Sequence, residues 1–224
     1  MINDRVRIKI CGFTREEDII SAVNSGIDAL GMVFYEKSKR FISLDRAIAL
    51  KKEIPPFVDL VALFVDASTD RVKEIQDAIY PDYLQFHGDE SPELCDSFKQ
   101  KYLKTFRVGS PKLHSSNILL DECLKYINAD GWLFDSYSCS YGGSGKTFNH
   151  DILKPICSKL MHKRPIILSG GLTINNIVDS INYLHPWAVD ISSGVEIEPG
   201  VKSSTKIQEI INAVNKCVTN SSVK

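Results

Sequence analysis

Cys11 lies in Lys9-Ile-Cys-Gly12, at the exit of the apolar run Val6 to Ile10 and just ahead of Thr14-Arg-Glu-Glu17, a helix-start pattern. A thiol held at a glycine turn where a strand ends is placed as a catalytic group would be. It becomes a base only when ionised, and a free thiol has a pKa of about 8.5, so it needs positive charge or hydrogen bonds nearby. Asp135, in Leu133-Phe-Asp-Ser136, has the same placing and could donate a proton, cap a helix or pair with a lysine. Two turns, Ser169-Gly170-Gly171 and Ser192-Ser193-Gly194, follow later apolar runs. Glycines let backbone N–H groups approach an anion closely, which makes Gly170, Gly171, Ser193 and Gly194 candidate phosphate ligands; ordinary tight turns are the plainer reading.

Arg40, in Lys37-Ser-Lys-Arg40, offers a guanidinium fork for a carboxylate, or else belongs to a solvated basic loop. Gln85-Phe-His-Gly88 alternates so that Gln85 and His87 share one face and Phe86 takes the other. Gln85 and His87 are candidate substrate contacts, with a structural hydrogen bond as the alternative for His87. Lys9 shares its face with Cys11, and an inward lysine requires a counter-charge; Asp190 is the expected partner, in a structural pair.

These residues need a frame that brings strand ends together. Short β-branched runs at Val6–Cys11, Ala29–Phe34, Leu60–Val65, Tyr83–His87, Leu103–Val108, Trp132–Asp135, Ile166–Ser169 and Ala188–Ser192 alternate with amphipathic segments. Helix starts are marked at Thr14, Ser43, Ser68 or Thr69, Ser91 with Pro92, Asn149 or His150, and Thr173. Eight such units in 224 residues predict a (β/α)₈ TIM barrel in a single domain, 1–224, with residues 218–224 a frayed tail. Such barrels carry their sites at the carboxyl ends of the strands and often bind phosphate after strands seven and eight. A short helix near Gly200 to Ser204 is expected to add its N-terminal end to that phosphate site. An open doubly wound sheet is the competing fold, but Cys11-Gly12-Phe13-Thr14 is too glycine-poor for its phosphate turn.

Composition narrows the function classes. With 43% hydrophobic and 25% charged residues and a formal net charge of -1, the chain suggests neither a nucleic-acid nor a membrane partner. No run approaches the roughly 18 apolar residues of a membrane span, and Met1-Ile-Asn-Asp-Arg5 has no signal-peptide core, so a cytoplasmic location is expected. Cys95, Cys123, Cys139, Cys157 and Cys217, with Cys11, show no zinc spacing; no metal and no cofactor are expected.

Seven segments in order, Lys9-Ile-Cys-Gly12, Phe34-Tyr-Glu-Lys-Ser-Lys-Arg40, Gln85-Phe-His-Gly-Asp-Glu90, Leu133-Phe-Asp135, Gly142-Gly-Ser-Gly145, Leu168-Ser-Gly-Gly-Leu172 and Asp190-Ile-Ser-Ser-Gly-Val-Glu196, resemble the phosphoribosylanthranilate isomerases of tryptophan biosynthesis. The resemblance implies an Amadori rearrangement of N-(5-phosphoribosyl)anthranilate without cofactor or metal. It makes Cys11 the base at ribose C2, Asp135 the acid at the ring oxygen, and Arg40 the contact for the anthranilate carboxylate. It also adds Gly143 and Gly145 to the phosphate site, and a monomer is expected over a dimer. Ser144 and Asn149-His150 depart from the family's usual threonine and aspartate-tryptophan pair, which bears on how that loop closes. A related isomerase of the histidine pathway resembles a two-aspartate mechanism and does not suit Cys11. A silent phosphosugar-binding protein is the rival of a different class.

Overall fold

Serine hydroxyls begin several helices where the sequence marks them. Ser43, Ser68 and Ser91 accept from the amides of Arg46, Arg71 and Leu94, starting α2 (Leu44–Lys51), α3 (Thr69–Ile79) and α4 (Pro92–Ser97). Each such cap is worth about 1 kcal/mol. The computed structural model describes residues 5–137, 147–160 and 164–221. Its remaining helices are α1 (Glu16–Ser25), α5 (Ser116–Lys125), α6 (Lys154–Leu160), α7 (Ile177–Leu184) and α8 (Ser204–Ser221).

Between them run β1 (Arg7–Cys11), β2 (Ala29–Val33), β3 (Asp59–Phe64), β4 (Tyr83–Phe86), β5 (Tyr102–Val108), β6 (Gly131–Ser136), β7 (Ile166–Leu168) and β8 (Ala188–Ile191). All pair in parallel and in sequence order, and β8 returns to β1 to close the barrel. The expected (β/α)₈ architecture holds, and the open sheet does not. Side chains pointing outward from the strands, among them Trp132, Phe64, Phe86, Phe106 and Phe134, are fully buried against the helices. Each such burial is worth about 1.5–3 kcal/mol.

Inside the barrel an apolar floor of Val61, Leu103, Leu133, Ile167 and Ala188 is separate from an upper group of Cys11, Val33, Leu63 and Val65. The inward polar residues Lys9, Gln85, Thr105 and Asp190 are buried as well. At the amino-terminal rim, three aspartates staple neighbouring strands. Asp28, Asp82 and Asp130 accept from the amides of Ile8, Leu60 and Tyr102 at 2.8, 2.7 and 3.0 Å. Their own amides donate back to the carbonyls of the same three residues.

Three expectations change. The helix marked at Thr14 begins at Glu16 with Arg15 as its N-cap residue. The one marked at Thr173 begins at Ile177, because the Asn176 side chain first accepts from the Thr173 amide and donates to the Gly171 carbonyl. The short helix expected at Gly200 to Ser204 is the start of the 18-residue α8, preceded by a hairpin of β9 (Glu196–Glu198) and β10 (Val201–Lys202). α8 runs on through Ser221, into the stretch expected to fray.

Candidate active site

Strand alternation puts Lys9 and Cys11 inward on β1, and register sets Lys9 beside Asp190 on β8. The two meet at 2.9 Å with side chains 5% and 6% exposed, as expected for a structural pair. Gly31, across from Cys11 on β2, makes room for both heads. A Cβ there would fall 2.7 Å from the thiol sulfur and 3.2 Å from Lys9 Nζ. Burial pushes the Cys11 thiol above its ordinary value, opposed by the charges of Lys9 and Lys202 and a hydrogen bond from Lys9, with Asp190 adding to the rise. Cys95 is an inert contrast: it is buried on the helix side, where desolvation takes it up to about 12.

Asp135, second last in β6, is buried at the mouth. Its Oδ1 accepts from the Ser136 amide at 2.8 Å, and its Oδ2 lies 3.2 Å from His87 Nε2. Gln85 and His87 both point inward, while Phe86 packs among the outer aromatics. Gln85 Nε2 reaches Thr105 Oγ1 at 3.2 Å and His87 Nδ1 at 3.3 Å. A chain of contacts therefore leads from Thr105 through Gln85 and His87 to the carboxyl of Asp135.

Arg40 follows β2 and is only 9% exposed, so the solvated-loop alternative fails. Its Nε and Nη2 donate to Glu196 at 2.8 and 2.6 Å, a bidentate pair that fixes the guanidinium plane. Glu196 also accepts from Lys202 Nζ at 2.8 Å. Despite its desolvation, these partners hold the Glu196 carboxyl below its ordinary value. Sequence reasoning assigned no role to Glu196 or Lys202. The signal available was an acid and a lysine flanking Pro199-Gly200, a turn that brings two short strands together.

Gly170 has φ 90°, and a Cβ on it would lie 2.6 Å from the Ser136 amide nitrogen. The turn after β7 is thus pressed against the end of β6. Gly170, Gly171 and Ser193 join Cys11, Arg40, Gln85, His87 and Asp135 in the walls of one cleft, with Tyr35, Ser38 and Ser192 among its other walls. Gly194 is packed on the Leu172 carbonyl behind this wall. Gly143, Gly145 and Ser144 lie outside the described residues. Among the described residues no group of three or more His, Cys, Asp or Glu side chains is placed to hold a metal ion, and no helix is long and apolar enough to cross a membrane.

A family model described as N-(5'-phosphoribosyl)anthranilate isomerase matches residues 8–213. The chain belongs to this isomerase family. The N-(5'-phosphoribosyl)anthranilate isomerase of Bordetella parapertussis is 50% identical over 210 residues, covering 94% of this chain and 96% of that one. The phosphoribosylanthranilate isomerase of Thermotoga maritima superposes with a TM-score of 0.84 at 36% identity, over 94% of this chain and 99% of that one. A crystal structure of a phosphoribosylanthranilate isomerase in complex with reduced 1-(o-carboxyphenylamino)-1-deoxyribulose 5-phosphate gives 0.81 at 33% identity, with the same two coverages. Barrel enzymes carry their sites at the carboxyl ends of the strands, where Cys11, Asp135 and the paired turns stand here.

Proposed function

We propose that this chain converts N-(5-phosphoribosyl)anthranilate to 1-(2-carboxyphenylamino)-1-deoxyribulose 5-phosphate by acid–base catalysis, with Cys11 as base and Asp135 as acid. The convergence of a thiol, a carboxyl and two glycine turns on one cleft carries this reading. Asp135, oriented by the Ser136 amide and His87, delivers a proton to the ribose ring oxygen, and the anthranilate nitrogen's lone pair opens the ring to a protonated imine. Cys11 then takes the proton from C2, leaving an enolamine that tautomerises to the ketone. Arg40, held flat by Glu196, meets the anthranilate carboxylate. Gly170, Gly171 and Ser193, with Gly143 and Gly145, receive the phosphate, while Gly194, packed behind the wall, supports the turn.

We further propose that the chain acts as a monomer, and that it does so in the cytoplasm. Loss of the substrate's anthranilate fluorescence on adding purified protein is the deciding assay. Tight binding without turnover would favour the silent phosphosugar-binding protein.

A further inference from the structure

We propose that Lys202 is a positioning residue that acts through Cys11: its ammonium, sealed against the Cys11 carbonyl, favours the ionised thiol. This rests on the reading of Cys11 as the base. Lys202 is carried by β10, outside the barrel, yet its side chain is 0% exposed. Nζ donates to the Cys11 carbonyl at 2.6 Å, to Glu196 at 2.8 Å and to the Ser192 carbonyl at 3.4 Å. Three partners use all three donors of an ammonium. The backbone is fixed too, since the Lys202 amide donates to Asp18 on α1 at 2.9 Å and Thr14 Oγ1 donates to the Gly200 carbonyl at 2.6 Å. Lys202 thus ties the ends of β1 and β8, the strands that lead into the thiol and one phosphate turn.

Burying a lysine this fully carries a desolvation penalty of several kcal/mol. A neutral donor could bridge two carbonyls with less. What the charge adds is visible around the thiol. Lys9 and Lys202 act on it as cations, against one nearby carboxylate, Asp190. Arg40 also faces it but is bound to Glu196, and Asp135 lies across the cleft beside His87. Lys9 is matched by Asp190 at 2.9 Å. Lys202 shares its counter-ion with Arg40, so this corner holds a surplus of positive charge where a thiolate would form.

The experiment separates charge from clamp. Lys202→Gln keeps N–H donors for the carbonyls and loses the charge, while Lys202→Arg keeps the charge. Thiolate ultraviolet absorbance of the substrate-free folded protein is followed against pH, as the difference from the same protein carrying Cys11→Ser. Lys202→Gln should raise the midpoint by about one pH unit. Lys202→Arg should stay near the parent. An unmoved midpoint in Lys202→Gln, or equal displacement in both variants, overturns the proposal. Should Lys202→Gln not fold, Lys202→Met, which leaves Glu196 on Arg40, decides by the same midpoint. The spectroscopic readout needs no substrate. A fully active Cys11→Ser protein would instead refute the base assignment itself.

Discussion

Lys9→Met removes one half of the ion pair beneath the thiol and leaves a side chain of similar length, so charge is lost with little change in packing. At 2.9 Å and with both side chains nearly sealed from solvent, Lys9 and Asp190 form a buried pair, unlike exposed pairs worth about 0–1 kcal/mol. The variant strands a carboxylate inside the barrel. Removing one partner from such a pair costs about 3–5 kcal/mol, out of a total stability of about 5–15 kcal/mol. Lys9→Met combined with Asp190→Leu should recover most of that loss, because no charge is left unpaired. Urea unfolding followed by circular dichroism gives each free energy by linear extrapolation, and the double-mutant cycle gives the coupling. A loss below about 1 kcal/mol in Lys9→Met, or a double variant no more stable than the single one, would refute the reasoning. The folded single variant should also lose activity near neutrality, since the thiol loses the cation and hydrogen bond that oppose its rise.

Cys11→Ser and Asp135→Asn should each lower kcat by at least about 10²- to 10⁴-fold with the fold intact; near-parental turnover in the first would overturn the mechanism, and in the second would move the acid to His87. In the substrate-free parent, the thiolate absorbance of Cys11 should rise with pH and not level off below the ordinary thiol value of about 8.5, because burial raises that value. A plateau at lower pH would contradict it. Arg40→Ala should weaken binding of a carboxylated analogue by about 1.5–3 kcal/mol and erode preference over a carboxyl-free one; undiminished preference would end the role given to Arg40. Gly171→Val, at a position with φ 65°, should weaken binding of a phosphorylated analogue, and unchanged affinity measured by calorimetry would put the phosphate elsewhere.

Periodicity carried the barrel and much of its inner wall. The period of two along β1 and β4 placed Lys9, Cys11, Gln85 and His87 inward, and eight strand signals left one economical closure. Contacts between distant elements were not legible. His87 has no acid beside it in sequence, yet closure sets it 3.2 Å from Asp135. For Arg40 the sequence left a carboxylate fork and a solvated basic loop both open, because Glu196, its partner, is 156 residues away. Helix starts failed where side chains took other work, as at Asn176, which ties down the Gly170-Gly171 turn before α7 can begin.

The aspartate staples divide the barrel into pairs. Asp28 joins β2 to β1, Asp82 joins β4 to β3 and Asp130 joins β6 to β5, each across about one strand–helix–strand stretch. The last pair closes differently, through the Trp187 amide on the Ile166 carbonyl at 2.9 Å, with the Trp187 ring stacked under Arg7 of β1. Circular permutation should respect this grain. New termini opened between α2 and β3, near the fully exposed Phe57, leave every staple within a continuous stretch of chain. New termini between β1 and β2 would put Ile8 and Asp28 at opposite ends and make their mutual hydrogen bonds wait for the whole barrel to close.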